Sequence, residues 1–227
     1  MNLLPELLSK NPVFSHLKQT ELSALTQQAV LREYPKGEWI AHYGTLWPYL
    51  FVVVKGRVTA VKESEEGRSL IIASIEPGEI FWGAAFFQEE VPNLAALVAG
   101  EHSRIYLWSR ERMLPILLQN GRLSWELSRL LVRRMQRASD IVEELAFQTV
   151  TGRLAKFLVT RFGESEVERV SRNLTLEEMA AHIGTTREMV CRTLHRFANL
   201  GLIDITRTEF IFMDRDGLAQ LAQKLSE

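Results

Sequence analysis

The chain has 227 residues, 46% of them hydrophobic, with a formal net charge of −1 at pH 7. That length and apolar content support one large domain or two unequal ones around a buried core, while the near-neutral balance excludes binding of nucleic acid through the overall field, so any such contact needs a local patch. Cys191 is the single cysteine, which excludes an intrachain disulfide, a four-cysteine zinc site and an iron–sulfur sensor and fits a reducing, cytoplasmic setting.

The Met1–Phe14 stretch lacks a basic start, and Pro5 and Pro12 break its apolar pieces, so it matches a signal peptide poorly. No run reaches the roughly 20 apolar residues of a membrane helix. A short helical lead is expected to end near Glu33. From there to Trp108, turn signals recur at Pro35-Lys36-Gly37, Gly44, Lys55-Gly56, Glu66-Gly67 and Pro77-Gly78. Between them lie "LFVVV", "RVTAVKE", "SLIIASI" and "SRIYLWS", short runs rich in branched and aromatic residues, with Glu66-Gly67 placed as a hairpin turn. This spacing predicts a β-roll or jelly-roll, giving an α+β chain once the later helices are added.

The period turns helical at Ser109, stops at Asn120-Gly121, and resumes in a helix expected from Arg122 to Phe147. Leu131, Ala138 and Leu145 recur every seven residues, and the intervening positions of the seam are either Leu127 and Ile141 or Met135 and Val142. Either choice leaves an apolar stripe flanked by Arg129, Arg133, Arg137, Glu143 and Glu144. A helix packed only on its own roll would show a broader apolar face, so the 3.5-residue period points to a two-chain seam, a homodimer. The expected divisions are 1–121 for the roll with its flanking helices, 122–147 for the dimer helix and 148–227 for a third segment, which opens with the helical "VTGRLAKFLVTRF" and a polar link, "GESEVERVSRN".

The third segment contains "LTLEEMAAHIGTTREMVCRTLHRFANLGLIDI". Thr175 with Glu178 forms one capping box and Thr185 with Glu188 offers a second, with Gly184 between them, so two short helices are expected across a tight turn. Leu176, Met179, Ala180 and Ile183 give the first an inner face, and Met189, Val190, Leu194 and Phe197 do so for the second. This is helix–turn–helix spacing, in which the second helix enters the major groove of double-stranded DNA by its N-terminal end. Its outer face carries Arg187, Glu188, Arg192, His195 and Arg196. Arginine offers paired donors that match guanine N7 and O6, and glutamate accepts from cytosine N4; a carboxylate on such a face is informative, because phosphate repels it unless it reads a donor. Asn199-Leu200-Gly201 ends the helix, and "LIDITRTEFIFMD" reads as a wing.

The order of parts resembles the CRP/FNR family of bacterial transcription regulators over nearly the whole chain. "GEIFWG" looks like the entry to the family's effector cassette, "LLVRRMQRASDIVEELAFQTVTGRLAKFL" is similar to its dimer helix and link, and "TTREMVCRTLHRF" to its recognition stretch. The resemblance puts the family's Arg-Glu-x-x-x-Arg base-reading set on Arg187, Glu188 and Arg192 and implies TGTGA-like half-sites in an inverted repeat. It places phosphate contacts on Thr175 and Thr186, where helix starts offer backbone N–H groups. His195 and Arg196 are added as phosphate contacts, and RNA polymerase is a further expected partner.

The cassette departs from the cyclic-nucleotide-binding members. Their ribose glutamate and phosphate-binding Arg-Ser pair fall here on Ala84, Leu94 and Ala95, and no Lys or Arg occurs from Ser69 to Ser103. A buried phosphate without a cation is expensive, so cyclic AMP is not expected in the usual pose. On the dimer helix the adenine-contacting Thr-Ser becomes Ala138-Ser139, while Arg134 remains as a cation for a different acid. For Phe81–Leu97 two readings stay open: Trp82, Phe86, Phe87 and Leu94 line a site for an apolar or planar effector, haem on His42 or His102 included, or the cassette is a filled core. An enzyme of the cupin type would need a His-x-His with a following carboxylate in the roll, which is absent from the sequence, so no catalysis is expected. A sensory module that acts on a protein partner would not need Arg187, Glu188 and Arg192 on one outer face. Cys191 fits a small filler on the second helix.

Overall fold

The computed structural model describes residues 4–162 and 169–223. Helices α1 (Leu4–Lys10) and α2 (Gln19–Gln28) lead into strand β1 (Val30–Tyr34). The lead therefore ends earlier than expected. "VLREY" pairs antiparallel with a later strand through Val30↔Leu107 and Tyr34↔Ser103, and this long-range ladder overrides any local helical pattern. Then follow β2 (Trp39–Ala41), β3 (Tyr49–Lys55), β4 (Val58–Glu63), β5 (Ser69–Ile75), β6 (Ile80–Trp82), α3 (Ala84–Phe87), β7 (Ala96–Ala99) and β8 (Ser103–Ser109). They form two four-stranded sheets, in the orders β1-β8-β3-β6 and β2-β7-β4-β5, the roll expected from the turn spacing. Gly67 turns the β4–β5 hairpin at φ 76°, a conformation glycine adopts without a Cβ penalty.

Strand alternation divides the buried residues of β3 between two cores. Leu50 and Val52 face a helical layer with Leu8, Phe14, Leu25, Trp108 and Met113. Phe51 and Val53 face the inside of the roll with Val58, Ile75, Leu97 and Ile105. Trp108 also donates its indole N–H to the Leu25 carbonyl at 2.8 Å, which fixes α2 on the sheet.

Helix α4 (Arg110–Gln119) ends at Asn120, and α5 (Gly121–Phe147) begins beyond it. The Asn120 side-chain oxygen accepts from Leu123 N at 3.0 Å, so one residue stops the first helix and starts the second. Beyond α5 come α6 (Val150–Phe162), β9 (Arg169–Ser171), α7 (Leu176–Ile183), α8 (Arg187–Asn199), β10 (Ile203–Ile205), β11 (Glu209–Phe212) and α9 (Arg215–Gln223). Residues 163–168 of the polar link lie outside the described residues; its end forms β9, which makes the wing three-stranded in the order β10-β11-β9. The chain divides into two units, residues 1–62 with 72–137 and residues 63–71 with 138–227. The second has its own core, built on Leu154, Leu158, Met179, Val190, Phe197 and Phe210. Among the described residues, no helix is long and apolar enough to cross a membrane.

Candidate nucleic-acid interface

Helix α7 starts as its sequence dictates. The Thr175 hydroxyl accepts from Glu178 N at 3.1 Å, and the Glu178 carboxylate accepts from Thr175 N at 2.8 Å, the reciprocal capping box. Gly184 closes the helix in the left-handed region at φ 63°, and a Cβ there would stand 2.8 Å from Leu145 Cδ2, so the turn needs glycine for two reasons. The second cap differs from the expected one. Thr186, not Thr185, is the N-cap of α8, accepting from Met189 N at 3.3 Å. With the start one residue later, Glu188 falls in the first turn beyond reach of a capping box and pairs instead with Arg192 at 2.6 Å. Thr175→Ala should lower the melting temperature of the chain by an amount matching about 1 kcal/mol, the usual worth of such a cap, as measured by circular dichroism.

The brace is firm. Arg153 on α6 donates from Nε to the Ile183 carbonyl at 2.8 Å and from Nη1 to the Gln148 carbonyl at 2.7 Å, and burial draws its pKa below the usual arginine range. Val190, Leu194 and Phe197 turn into the core, which leaves Arg187, Glu188, Arg192, His195 and Arg196 exposed on the opposite side of α8, with Thr175 and Thr186 exposed at the two helix starts. All seven expected DNA contacts thus stand on the solvent side of the helix–turn–helix. The neighbour that sequence reasoning missed is Glu177, whose Oε1 lies 3.2 Å from Arg187 Nε. Its position in the first turn of α7 was readable, but its partner came from the other helix.

The cassette residues differ in what they pack against. Ile80 and Trp82 face the helical layer, whereas Phe81, between them on β6, faces the roll interior with Ala95. Phe86 is buried in the helical layer, Phe87 is partly exposed and Leu94 is 63% exposed. The rings of Phe81, Trp82, Phe87 and Phe86 touch in series, with centroids 5.0 to 5.5 Å apart. Gly83, just before α3, donates its N–H to the Tyr49 carbonyl at 3.0 Å, and a Cβ there would strike the Trp47 carbonyl. Ala84, Leu94 and Ala95, the positions to which the resemblance assigns the ribose and phosphate contacts, carry neither a carboxylate nor a cation. Arg134 is committed nearby: its guanidinium lies over the Phe81 ring, 5.4 Å from the centroid, and 3.9 Å from Glu79, and burial lowers its pKa. Ala138 and Ser139, farther along α5, are both exposed. His42 stacks on Trp39 at 5.2 Å, and both His42 and His102 are exposed loop residues.

On α5 the proposed seam changes in its two intervening members. Leu127 is 2% exposed and belongs to the core of its own chain, while Ile141 is half-buried. The exposed stripe runs instead through Leu131, Met135, Ala138, Val142 and Leu145, alternating four and three residues as a coiled-coil seam does. The second of the two registers open in the sequence is therefore the one left uncovered.

The cyclic nucleotide-binding domain model matches residues 31–120, and the Crp-like helix-turn-helix domain model matches residues 152–221. A CRP-like cAMP-activated global transcriptional regulator of Mycobacterium tuberculosis is 27% identical over 225 residues, covering 97% of this chain and 100% of that one. The chain belongs to the CRP/FNR family of bacterial transcription regulators. This CRP/FNR-family regulator is also 29% identical over 195 residues to the cyclic AMP receptor protein of Thermus thermophilus, covering 85% of this chain and 88% of its relative. A Crp/Fnr-family regulator from Eubacterium rectale shares its fold with a TM-score of 0.78 at 19% identity, covering 94% of this chain and 98% of that one. The regulator carries a helix–turn–helix DNA-binding domain, and its Mycobacterium tuberculosis relative is a transcriptional regulator.

Proposed function

We propose that the chain is a cytoplasmic, homodimeric regulator that reads an inverted repeat with TGTGA-like half-sites, by Arg187, Glu188 and Arg192, and acts on transcription through RNA polymerase. The observation that carries the reading is the exposure of those three side chains on the outer face of α8, whose inner face is locked into a core. Residues 1–121 form the roll with its flanking helices, 122–147 the dimer helix and 148–227 the winged DNA-binding domain. The exposed stripe of α5 supports the pairing of two copies, which sets two α8 helices about 34 Å apart, one turn of DNA. Thr175, Thr186, His195 and Arg196 flank the reading residues and touch phosphate, fixing register without reading sequence.

Cyclic AMP in the family's usual pose does not control this regulator; the support is the absence of a cation among the cassette residues Ala84, Leu94 and Ala95. Isothermal titration of cyclic AMP should show no binding, and micromolar affinity would overturn this part.

The test of base reading is Arg187→Ala, measured by fluorescence anisotropy on a TGTGA inverted repeat and on the same duplex with the half-site guanines changed. Discrimination should fall by about 1–3 kcal/mol per half-site. Equal weakening on both duplexes would make Arg187 a phosphate contact only.

A further inference from the structure

Arg187 does not stand alone on the surface. Its Nε lies 3.2 Å from Glu177 Oε1, with the two side chains 68% and 64% exposed. Glu177 belongs to the first turn of α7, whereas Arg187 opens α8, so this contact crosses the turn between the two helices. The neighbouring Glu178 has a separate task, as it accepts the Thr175 N–H in the capping box.

Two physical consequences follow from the geometry. First, the pair uses Nε of the guanidinium, which leaves the terminal Nη1 and Nη2 groups as the paired donors that match guanine N7 and O6. An arginine held at its Nε edge has fewer rotamers to lose when it meets a base, and the ordering of a long side chain is a real cost of binding. Second, Glu177 lies two residues from Thr175, the proposed phosphate contact, so its carboxylate lowers affinity for every duplex. A group that weakens all binding while aiming one reader widens the gap between right and wrong sequences.

Resting on the reading of Arg187 as a base contact, we infer that Glu177 is a positioning residue for specificity: it holds Arg187 toward guanine and opposes binding to unrelated DNA. The test is a double-mutant cycle in the full-length chain, with Glu177→Gln, Arg187→Ala and the combination, each titrated against a duplex bearing the TGTGA inverted repeat and against one with those guanines replaced. Melting temperatures of the three variants, compared with wild type, check that the fold is kept.

Glu177→Gln should tighten binding to the altered duplex and lower discrimination about fivefold, the scale of one exposed ion pair. In the Arg187→Ala background the same substitution should leave discrimination unchanged. Full discrimination in Glu177→Gln, or an equal loss in both backgrounds, overturns the inference and leaves the base-reading role of Arg187 standing. If wild type itself shows no preference between the duplexes, the role of Arg187 fails and the role of Glu177 fails with it.

Discussion

Val142→Glu should convert the proposed dimer to a monomer and weaken binding to the proposed inverted repeat at least about 100-fold. The expectation starts from exposure: Val142 and Met135 are 66% and 67% exposed, too much apolar surface on one helix stripe to leave in water without a purpose. In a two-fold seam each stripe meets its own copy, so one substitution places two carboxylates in the same interface. Leaving such charges buried and unpaired costs several kcal/mol, and loss of the second half-site removes the gain of tethering two recognition helices. Sedimentation equilibrium checks the assembly and anisotropy the DNA affinity. Each chain should stay folded as a monomer, because Val142 is exposed in its own chain, with a melting temperature lowered only by the loss of the partner. Val142→Leu should remain dimeric. A glutamate variant that is still a dimer would move the interface off α5.

The two cores explain which parts of this fold were legible beforehand. Long strands such as "LFVVV" and the period of the recognition helix announce themselves because many residues repeat one pattern. Three-residue strands do not. Ile80–Trp82 has too few positions to show alternation, and without it the sequence left open whether Trp82 and Phe86 line one site with Phe87 and Leu94 or belong to a filled core. The ladder Leu50↔Trp82, Phe51↔Phe81 and Val52↔Ile80 is what turns Trp82 toward the helices and Phe81 into the roll. Similarly, β9 was hidden in a charged link, since Arg169–Ser171 is a strand only through its pairing with β11.

The candidate DNA site was more legible because its logic is local. Capping residues, a glycine between two helices and an apolar face lie within one short stretch, and they reappear in the structure apart from the one-residue shift of the second cap and Met189, which is half-buried and outside the core. What local reading missed, the Glu177–Arg187 contact, joins two helices and depends on the angle between them.

Phe197→Ala probes the same helix from the opposite side and should produce the opposite signature to Arg187→Ala. Phe197 is fully buried among the residues that brace α8, and its carbonyl accepts from Leu202 N at 3.0 Å where the helix hands over to the wing. Removing a buried phenyl ring costs about 3–5 kcal/mol, a large fraction of the roughly 5–15 kcal/mol that holds a domain together. The transition of the second unit should drop by at least about 12 °C, taking roughly 4 °C per kcal/mol for a unit of this size. The groups proposed to face DNA are untouched. At a temperature where the variant is still folded, discrimination between the matched and altered duplexes should therefore equal that of wild type, and affinity for both should fall together as the folded fraction falls. Phe197→Leu should recover most of the stability. Calorimetry combined with anisotropy separates the outcomes: a small thermal shift would mean that α8 is braced by something other than this core, and a selective loss at the guanines would mean that the helix had shifted rather than loosened.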